Sequence, residues 1–310
     1  MESLTFPEQP ASLYEPIKFS LDLGGKRLRP VLLLIANELY GGKEKEALPA
    51  ALAIEVFHNF TLMHDDIMDK APLRRGKPTV HEKWDTNSAI LSGDQMLVWA
   101  YSLLSGTNEF YLFQAYTLFN ETAKGVCEGQ QWDMDFEQLE KVDDLQYIQM
   151  ITLKTAVLLA ASLQMGALLA GADEFEQKHI YQFGLNLGIS FQLQDDLLDV
   201  FGSIADVGKI QGGDIVANKK TYLWIVAHKL ANDENQKQLL HWSSNKNSDQ
   251  KDKIRAVKKI YKTLGIPALA EERKSYFYME ALKHLDQLSL PQEKKNILQG
   301  LAQNLMDRIS

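Results

Sequence analysis

Apolar residues recur at three- and four-residue intervals through most of the chain, the spacing that lines them along one face of a helix. That period predicts helices over 10–23, 28–40, 46–69, 86–105, 109–131, 143–170 and 173–201, with shorter ones to the end. Breaks fall at YGGKEKE (40–46), APLRRGKPT (71–79), SGTNE (105–109) and GADE (171–174), each punctuated by Gly, Pro or Asn. The longest irregular stretch is GSIADVGKIQGGDIVANKK (202–220), and a loop of that length in a compact domain points to function. Residues 232–253 are polar enough for a solvated connection or a short helix and carry no chemistry. Abundant Ala, Leu, Glu, Gln and Lys, with few clustered Val or Ile, favour helix again, so the expected fold is all-α. No linker divides the chain, and a single domain over 1–310 is expected.

Two segments break the apolar rule in the same way. MHDDIMD (63–69) and LQDDLLD (193–199) each set Asp-Asp-apolar-apolar-Asp near the C-terminal end of a long apolar-periodic run. The distance between them is too great for a solenoid repeat and suits two helices of one bundle. On a helix, Asp65 shares a face with Asp69, and Asp195 with Asp199, while Asp66 and Asp196 stand to the side. One such motif fits a solvated helix end equally well. Two on apolar segments do not, because like charges about 4 Å apart repel by roughly 4 kcal/mol at an effective dielectric near 20. Six partly buried carboxylates call for cations or protonation, and something positive is expected between them. Carboxylates are hard ligands without a Cys or His cluster beside them, which selects Mg²⁺ over Zn²⁺, and Mg²⁺ completes its shell with water and substrate phosphate.

Composition narrows the rest. The chain has 310 residues, 45% hydrophobic and 24% charged, with a formal net charge of -8, so no broad basic footprint for nucleic acid exists. Cys127 is the sole cysteine, which excludes an intramolecular disulfide framework and fits a reducing, cytoplasmic setting. The opening MESLTFPEQP lacks the basic and apolar regions of a secretory signal. TAVLLAASLQMGALLAG (155–171) is interrupted by Ser162 and Gln164 and is too short to span a bilayer comfortably. It reads as a helix buried in the protein or at a subunit interface, and no transmembrane segment is expected.

Basic residues surround the acidic motifs in sequence. GGKRLRP (24–30) places Lys26, Arg27 and Arg29 on a Gly-rich turn before a helix, where backbone and cationic groups converge on an anion. Arg74 and Arg75 follow Asp69 by one short loop, and His58 lies two helical turns before Asp65 on the same face. Lys154, Thr155 and Gln192 are polar residues in apolar surroundings, readable as well as helix surface or satisfied core hydrogen bonds.

With these residues in view, the chain resembles the trans-isoprenyl diphosphate synthases, or polyprenyl synthetases. GGKRLRP, HNFTLMHDDIMD, RRGKPTVH, LSGD, LKTA, GISFQLQDDLLDVFG and GK…GGD…KKT occur in that family's order, over about residues 20–225. The resemblance implies an all-α class I isoprenoid synthase fold around a central cavity, up to three Mg²⁺ ions with Mn²⁺ as a substitute, and a homodimer. It implies that Asp65, Asp69 and Asp195 hold Mg²⁺ against an allylic diphosphate, with Asp66, Asp196 and Asp199 in direct or water-mediated support. Arg74, Lys154 and Lys209 would bind the same diphosphate, with Thr155 and Gln192 near the developing cation. Lys26, Arg29, His58 and Arg75 would bind isopentenyl diphosphate, and Lys219 would belong to a closing loop. Two positions depart from the family's pattern. Asn218 in NKKT stands where Gly is common, leaving Lys219 and Lys220 as alternatives for facing the substrate, and Gln194 replaces an apolar residue.

In this family, bulky residues upstream of the first motif floor the elongation pocket. Phe60 and Phe57 precede Asp65 by about 7 to 8 Å and about 12 Å of helix, and Thr61 between them and the motif is small. A 100° step per residue puts Thr61 nearer the carboxylate face than Phe60, so both phenylalanines also read as ordinary core. A blocking aromatic without a two-residue insertion in the motif implies a C20 product, geranylgeranyl diphosphate, ahead of C15 farnesyl diphosphate. A class I terpene cyclase is the alternative, but its second motif lacks a further DDxxD and it needs no site such as Lys26, Arg29 and His58. A non-catalytic subunit of a heteromeric synthase commonly loses one Asp motif, and this chain has both. A metal-dependent phosphohydrolase built on His64 and Asp65 fails for want of further His ligands.

Overall fold

The computed structural model describes residues 6–202, 212–245 and 249–307. Helices α1 (Ala11–Asp22), α2 (Leu28–Leu39) and α3 (Glu44–Met68) lead into a small hairpin, β1 (Leu73–Arg74) with β2 (Lys77–Pro78), and a one-turn α4 (Val80–Lys83). Then follow α5 (Thr86–Leu104), α6 (Glu109–Gln138) and α7 (Asp144–Ile151), which continues through a π-helical turn (Thr152–Ala156) into α8 (Val157–Leu169), and then α9 (Glu174–Phe201). The remainder comprises α10 (Gly213–Val216), α11 (Tyr222–Leu230), α12 (Asp233–Ser244), α13 (Gln250–Thr263), α14 (Ile266–Gln287) and α15 (Gln292–Met306). The all-α expectation holds, and the apolar period located the long helices through 201 to within a few residues apart from the far end of α6, while missing the one-turn α4.

Capping explains several of the boundaries. Asp85 accepts the N–H of Ser88 at 2.9 Å and opens α5. Asp143 and Gln146 form a reciprocal capping box at the start of α7, with bonds of 2.8 and 3.0 Å. The polar stretch expected as a solvated connection or a short helix contains α12, which Asn232 caps, and the start of α13, which Asp249 caps. Two features escaped the periodicity. The break at 71–79 holds an antiparallel hairpin whose two-residue turn, Arg75-Gly76, has positive φ at both positions, as a type I′ turn demands. The 143–170 helix carries the π turn, an insertion that such an apolar pattern does not announce.

The chain forms two compact units, Met1–Asn120 with Ala161–Gln177 and Glu121–Ala160 with Lys178–Ser310. In the first, α3 is the central helix, packed against α2 and α5. Leu33, Ile54, Phe57, Met96, Leu104, Phe119 and Leu163 are among its fully buried side chains. Gly166 lets α8 meet α2 backbone to backbone, since a Cβ there would lie 2.1 Å from the Leu33 carbonyl oxygen. In the second, Tyr147, Ile151, Ala156, Leu193, Val200, Leu223, Tyr261 and Ile266 share one core. Close helix approach matters here too: a Cβ on Gly129 would stand 2.3 Å from the Lys154 nitrogen, and one on Gly188 2.7 Å from the Ala156 Cα. Both contacts fall on the π turn. By length and composition the run 144–169 passes as a membrane span, yet 72% of its most apolar window is buried inside the protein. That agrees with the buried helix expected from its sequence.

Candidate active site

Each unit carries one of the two acidic motifs, and the first lies where α3 ends. Asp65 and Asp66 occupy its last turn and Asp69 is its C-cap residue. The C-terminal end of a helix carries partial negative charge, so the position adds to the mutual repulsion of the carboxylates. The hairpin supplies the answer: Arg74 donates from Nε to Asp66 Oδ2 at 2.8 Å and from Nη2 to Oδ1 at 2.7 Å, a two-pronged pairing. The same Nη2 lies 3.9 Å from Asp65 Oδ2. Asp66 is buried, which pushes its carboxyl above the usual range, and Arg74 opposes that push. Asp65 and Asp69 lie more open to solvent than Asp66.

The basic residues of the first unit gather around His58. Arg29 Nη1 stands 3.1 Å from His58 Nε2. A guanidinium can only donate, so Nε2 accepts and the ring proton sits on Nδ1. Burial, then the positive charges of Arg29, Arg75, Arg74 and Arg27, hold His58 well below the usual histidine range and keep it neutral. Arg75 turns the other way from Arg74 and donates to the Gly24 carbonyl. A side chain on Gly25 would be strained at φ 129° and would push the Arg75 guanidinium aside, because a Cβ would lie 2.7 Å from it. This contact ties the GGK turn to the hairpin. Lys26 is exposed beside it, while Arg27 is held inward by the buried Glu55, which also accepts from Asn59 at 2.9 Å. Glu55 was missed from the sequence, although a carboxylate in the apolar run AIEVF invites the same question as the Asp motifs.

The presumed floor residues also fall in this unit. Phe57 is interior, with ring centroids 5.6 Å from Phe60 and 5.2 Å from Phe119. Phe60 is 8% exposed and meets the His64 ring edge-on at 4.8 Å. Thr61 turns its hydroxyl back to the His58 carbonyl at 2.8 Å.

The second motif sits in the last turns of α9. Both oxygens of Asp196 already accept hydrogen bonds, Oδ2 from the Tyr147 hydroxyl and Oδ1 from Gln192 Nε2 at 3.2 Å. The other end of the Gln192 amide accepts from Thr155 Oγ1 at 3.1 Å. Burial, followed by the nearby Asp214 carboxylate, pushes the Asp196 carboxyl well above its ordinary range. Asp199 Oδ2 accepts the Asp214 N–H at 3.0 Å, and its carbonyl accepts the Gly212 N–H at 2.8 Å. Lys154 and Thr155 project from the π turn, and Lys154 Nζ lies 2.6 Å from Asp133 Oδ2 on α6. Tyr147, Asp133 and Asp214 were not singled out from sequence. The fold also separates Lys219 from Lys220: the Lys220 ammonium is committed to the carbonyls of Phe136, Glu137 and Leu139 at the end of α6. Asn218 takes φ 56°, a left-handed conformation that Asn tolerates where Gly is usual, and its Oδ1 accepts from Lys253 at 2.7 Å. Gln194 is satisfied by Lys274 Nζ at 2.7 Å. Lys209 lies outside the described residues.

Among the described residues, no three His, Cys, Asp or Glu side chains converge to hold a metal ion by themselves. Oxygen donors offered one or two at a time suit Mg²⁺ that arrives with a phosphate ligand, rather than a metal caged by protein alone. Carboxylates on an all-helical scaffold, with guanidinium groups alongside those of the first motif, fit an enzyme that handles diphosphates. Residues 10–261 match the polyprenyl synthetase family, and the chain belongs to it. It is 42% identical over 221 residues to a geranylgeranyl diphosphate synthase of Methanosarcina mazei, covering 71% of this chain and 68% of that one. A geranylfarnesyl diphosphate synthase of Natronomonas pharaonis is 39% identical over 238 residues, covering 71% and 70%. A geranylgeranyl pyrophosphate synthase of known structure, 46% identical, superposes with a TM-score of 0.93 over 98% of this chain and 94% of that one. The protein is a trans-prenyltransferase with the all-α class I fold, and its substrates are isoprenoid diphosphates.

The neutral His58 gives a pH test. As pH falls through the usual histidine range near 6.5, the unfolded chain takes up a proton that the folded chain refuses, so stability falls. Denaturant titrations at about pH 8 and about pH 5.5 should show His58→Gln losing less stability between the two than the unmodified protein.

Proposed function

We propose that the protein condenses isopentenyl diphosphate with an allylic diphosphate of C5 to C15, releases pyrophosphate, and makes chiefly C20 geranylgeranyl diphosphate. The observation that carries the reading is the joining of the GGK turn to the Arg74-Arg75 hairpin beside Asp65. It sets a guanidinium-rich, histidine-neutral anion site next to a carboxylate set. Arg29, His58 and Arg75, with Lys26, take the diphosphate of isopentenyl diphosphate. Asp65, Asp69 and Asp195 would hold Mg²⁺, or Mn²⁺ in its place, with Asp199 in support, while Asp66 is held by Arg74 and Asp196 by Tyr147 and Gln192. When bound, the metal neutralises charge growing on the departing diphosphate. Arg74, Lys154, Lys209 and Lys219 add fixed positive charge to that leaving group. Thr155 and Gln192 place oxygen dipoles against the allylic cation, which the isopentenyl double bond then attacks, and the new cation passes a proton to the released pyrophosphate as the product double bond forms.

Phe60, with Phe57 beneath it, floors the pocket and stops growth at C20, and Thr61 leaves room above. We also propose that the chain works as a cytoplasmic homodimer. Leu91 and Val98 on α5 and Phe110 and Phe113 on α6 are 60%, 59%, 75% and 80% exposed, more apolar surface than a lone soluble subunit usually shows. Sedimentation should return a dimer, and a monomer at micromolar concentration would remove that part of the proposal.

With Mg²⁺, isopentenyl diphosphate and C5, C10 or C15 starters, chromatography should show C20 as the main product from each, and chelation should abolish it. Asp65→Asn and Asp195→Asn should each cost about 100-fold or more in kcat. A dominant C25 product would instead align the protein with its geranylfarnesyl-forming relative. Phe60→Ala should lengthen the product, and an unchanged distribution would show Phe60 to be plain core.

A further inference from the structure

In the second unit, a hydroxyl, a carboxylate and an amide form a continuous chain inside the fold. Tyr147 is 2% exposed and Asp196 3% exposed, so neither can exchange its partner for water cheaply. The Tyr147 hydroxyl donates to Asp196 Oδ2. That bond fixes the plane of the carboxylate, whose other oxygen takes a hydrogen from the Gln192 Nε2 at 3.2 Å. An amide has two distinguishable ends. With its NH₂ committed to Asp196, Gln192 turns Oε1 toward Thr155, whose hydroxyl donates to it at 3.1 Å.

We propose that Tyr147 is a positioning residue for the prenyl transfer, acting through Asp196 to lock the Gln192 amide with its oxygen end on the Thr155 side. The inference rests on the placement of Gln192 against the substrate proposed above. Without the lock, the amide can rotate by half a turn and still bond Thr155, but through its NH₂ end. A developing cation would then meet a positive dipole end in place of a negative one. Substrate diphosphates are gripped elsewhere, so the defect belongs to the reaction step and not to binding. Asp196, in this arrangement, serves the amide, and Asp195 beside it serves the metal.

Tyr147→Phe removes one oxygen atom and retains the ring that fills the core. It should lower kcat by about 10- to 100-fold while both KM values stay within about 2-fold, since the orientation of the Gln192 amide matters where the cation forms and not where the diphosphates bind. The effect should vanish in a Gln192→Ala background, so that the double variant matches Gln192→Ala alone. Electron paramagnetic resonance of Mn²⁺ with inorganic pyrophosphate gives a readout independent of turnover. Tyr147→Phe and Asp196→Asn should keep near-native Mn²⁺ affinity, whereas Asp195→Asn should lose it. Should loss of the hydroxyl unfold the chain, Asp196→Asn in the same kinetic and resonance assays carries the test. Wild-type kcat in Tyr147→Phe beside a slow Gln192→Ala overturns the positioning role alone. Wild-type kcat in Gln192→Ala overturns the placement of Gln192 and the positioning role together. Additive losses in the double variant, or Mn²⁺ affinity lost in Asp196→Asn, likewise overturn it.

Discussion

Placing carboxylates at the negative ends of helices is the constraint to which the rest of this structure responds. Both motifs sit at C-terminal helix ends, where the helix dipole and the neighbouring acids raise the cost of every ionised group. Left to themselves, such residues would neutralise or draw in water. The fold instead gives the second aspartate of each motif full protein partners, Arg74 for Asp66 and Tyr147 with Gln192 for Asp196. Their neighbours Asp65 and Asp195 stay more open to solvent. Identical sequence motifs therefore divide into residues that hold architecture and residues turned toward chemistry.

The cations divide in the same manner. Arg27, Lys220, Lys253 and Lys274 are spent on Glu55, on the carbonyls closing α6, on Asn218 and on Gln194. The two positions that depart from the family's pattern are thereby accounted for. Asn218 supplies the left-handed backbone that Gly would have supplied and adds an acceptor for a buried lysine, while Gln194 is polar because Lys274 reaches it. With these cations assigned to structure, the GGK turn and the hairpin meet at Arg75 and leave Lys26 exposed beside it. Their geometry depends on Gly25, where any side chain would displace Arg75.

Much of this was legible in the residues. Helices showed through because an amphipathic stripe repeats many times over twenty residues, and the Asp motifs showed through because charge within such a stripe is anomalous. The hairpin did not, since strands of two residues are too short to display alternation. Nor could the sequence separate Lys219 from Lys220, adjacent residues whose difference lies in which one reaches back to α6. Asp66 and Asp65 pose the same problem: their partners come from a loop whose path no local pattern reveals. Glu55 is different, because its burial was as readable as that of the aspartates. Tyr147 lay hidden for the opposite reason, as an aromatic at a core position is what a helical stripe ordinarily contains.

The π turn at Thr152–Ala156 has a consequence for how this enzyme tolerates change in length. A helix with one surplus residue per turn can lose that residue and emerge as a regular helix, with its content and its burial nearly intact. The helix on either side would keep its bearing, because the wide turn is what absorbs the surplus residue, and only the positions within the turn would move. Lys154 and Thr155 would be carried off their bearings in a protein that still folded. Single-residue deletions within this stretch would therefore look silent to any assay of secondary structure while uncoupling the scaffold from its chemistry.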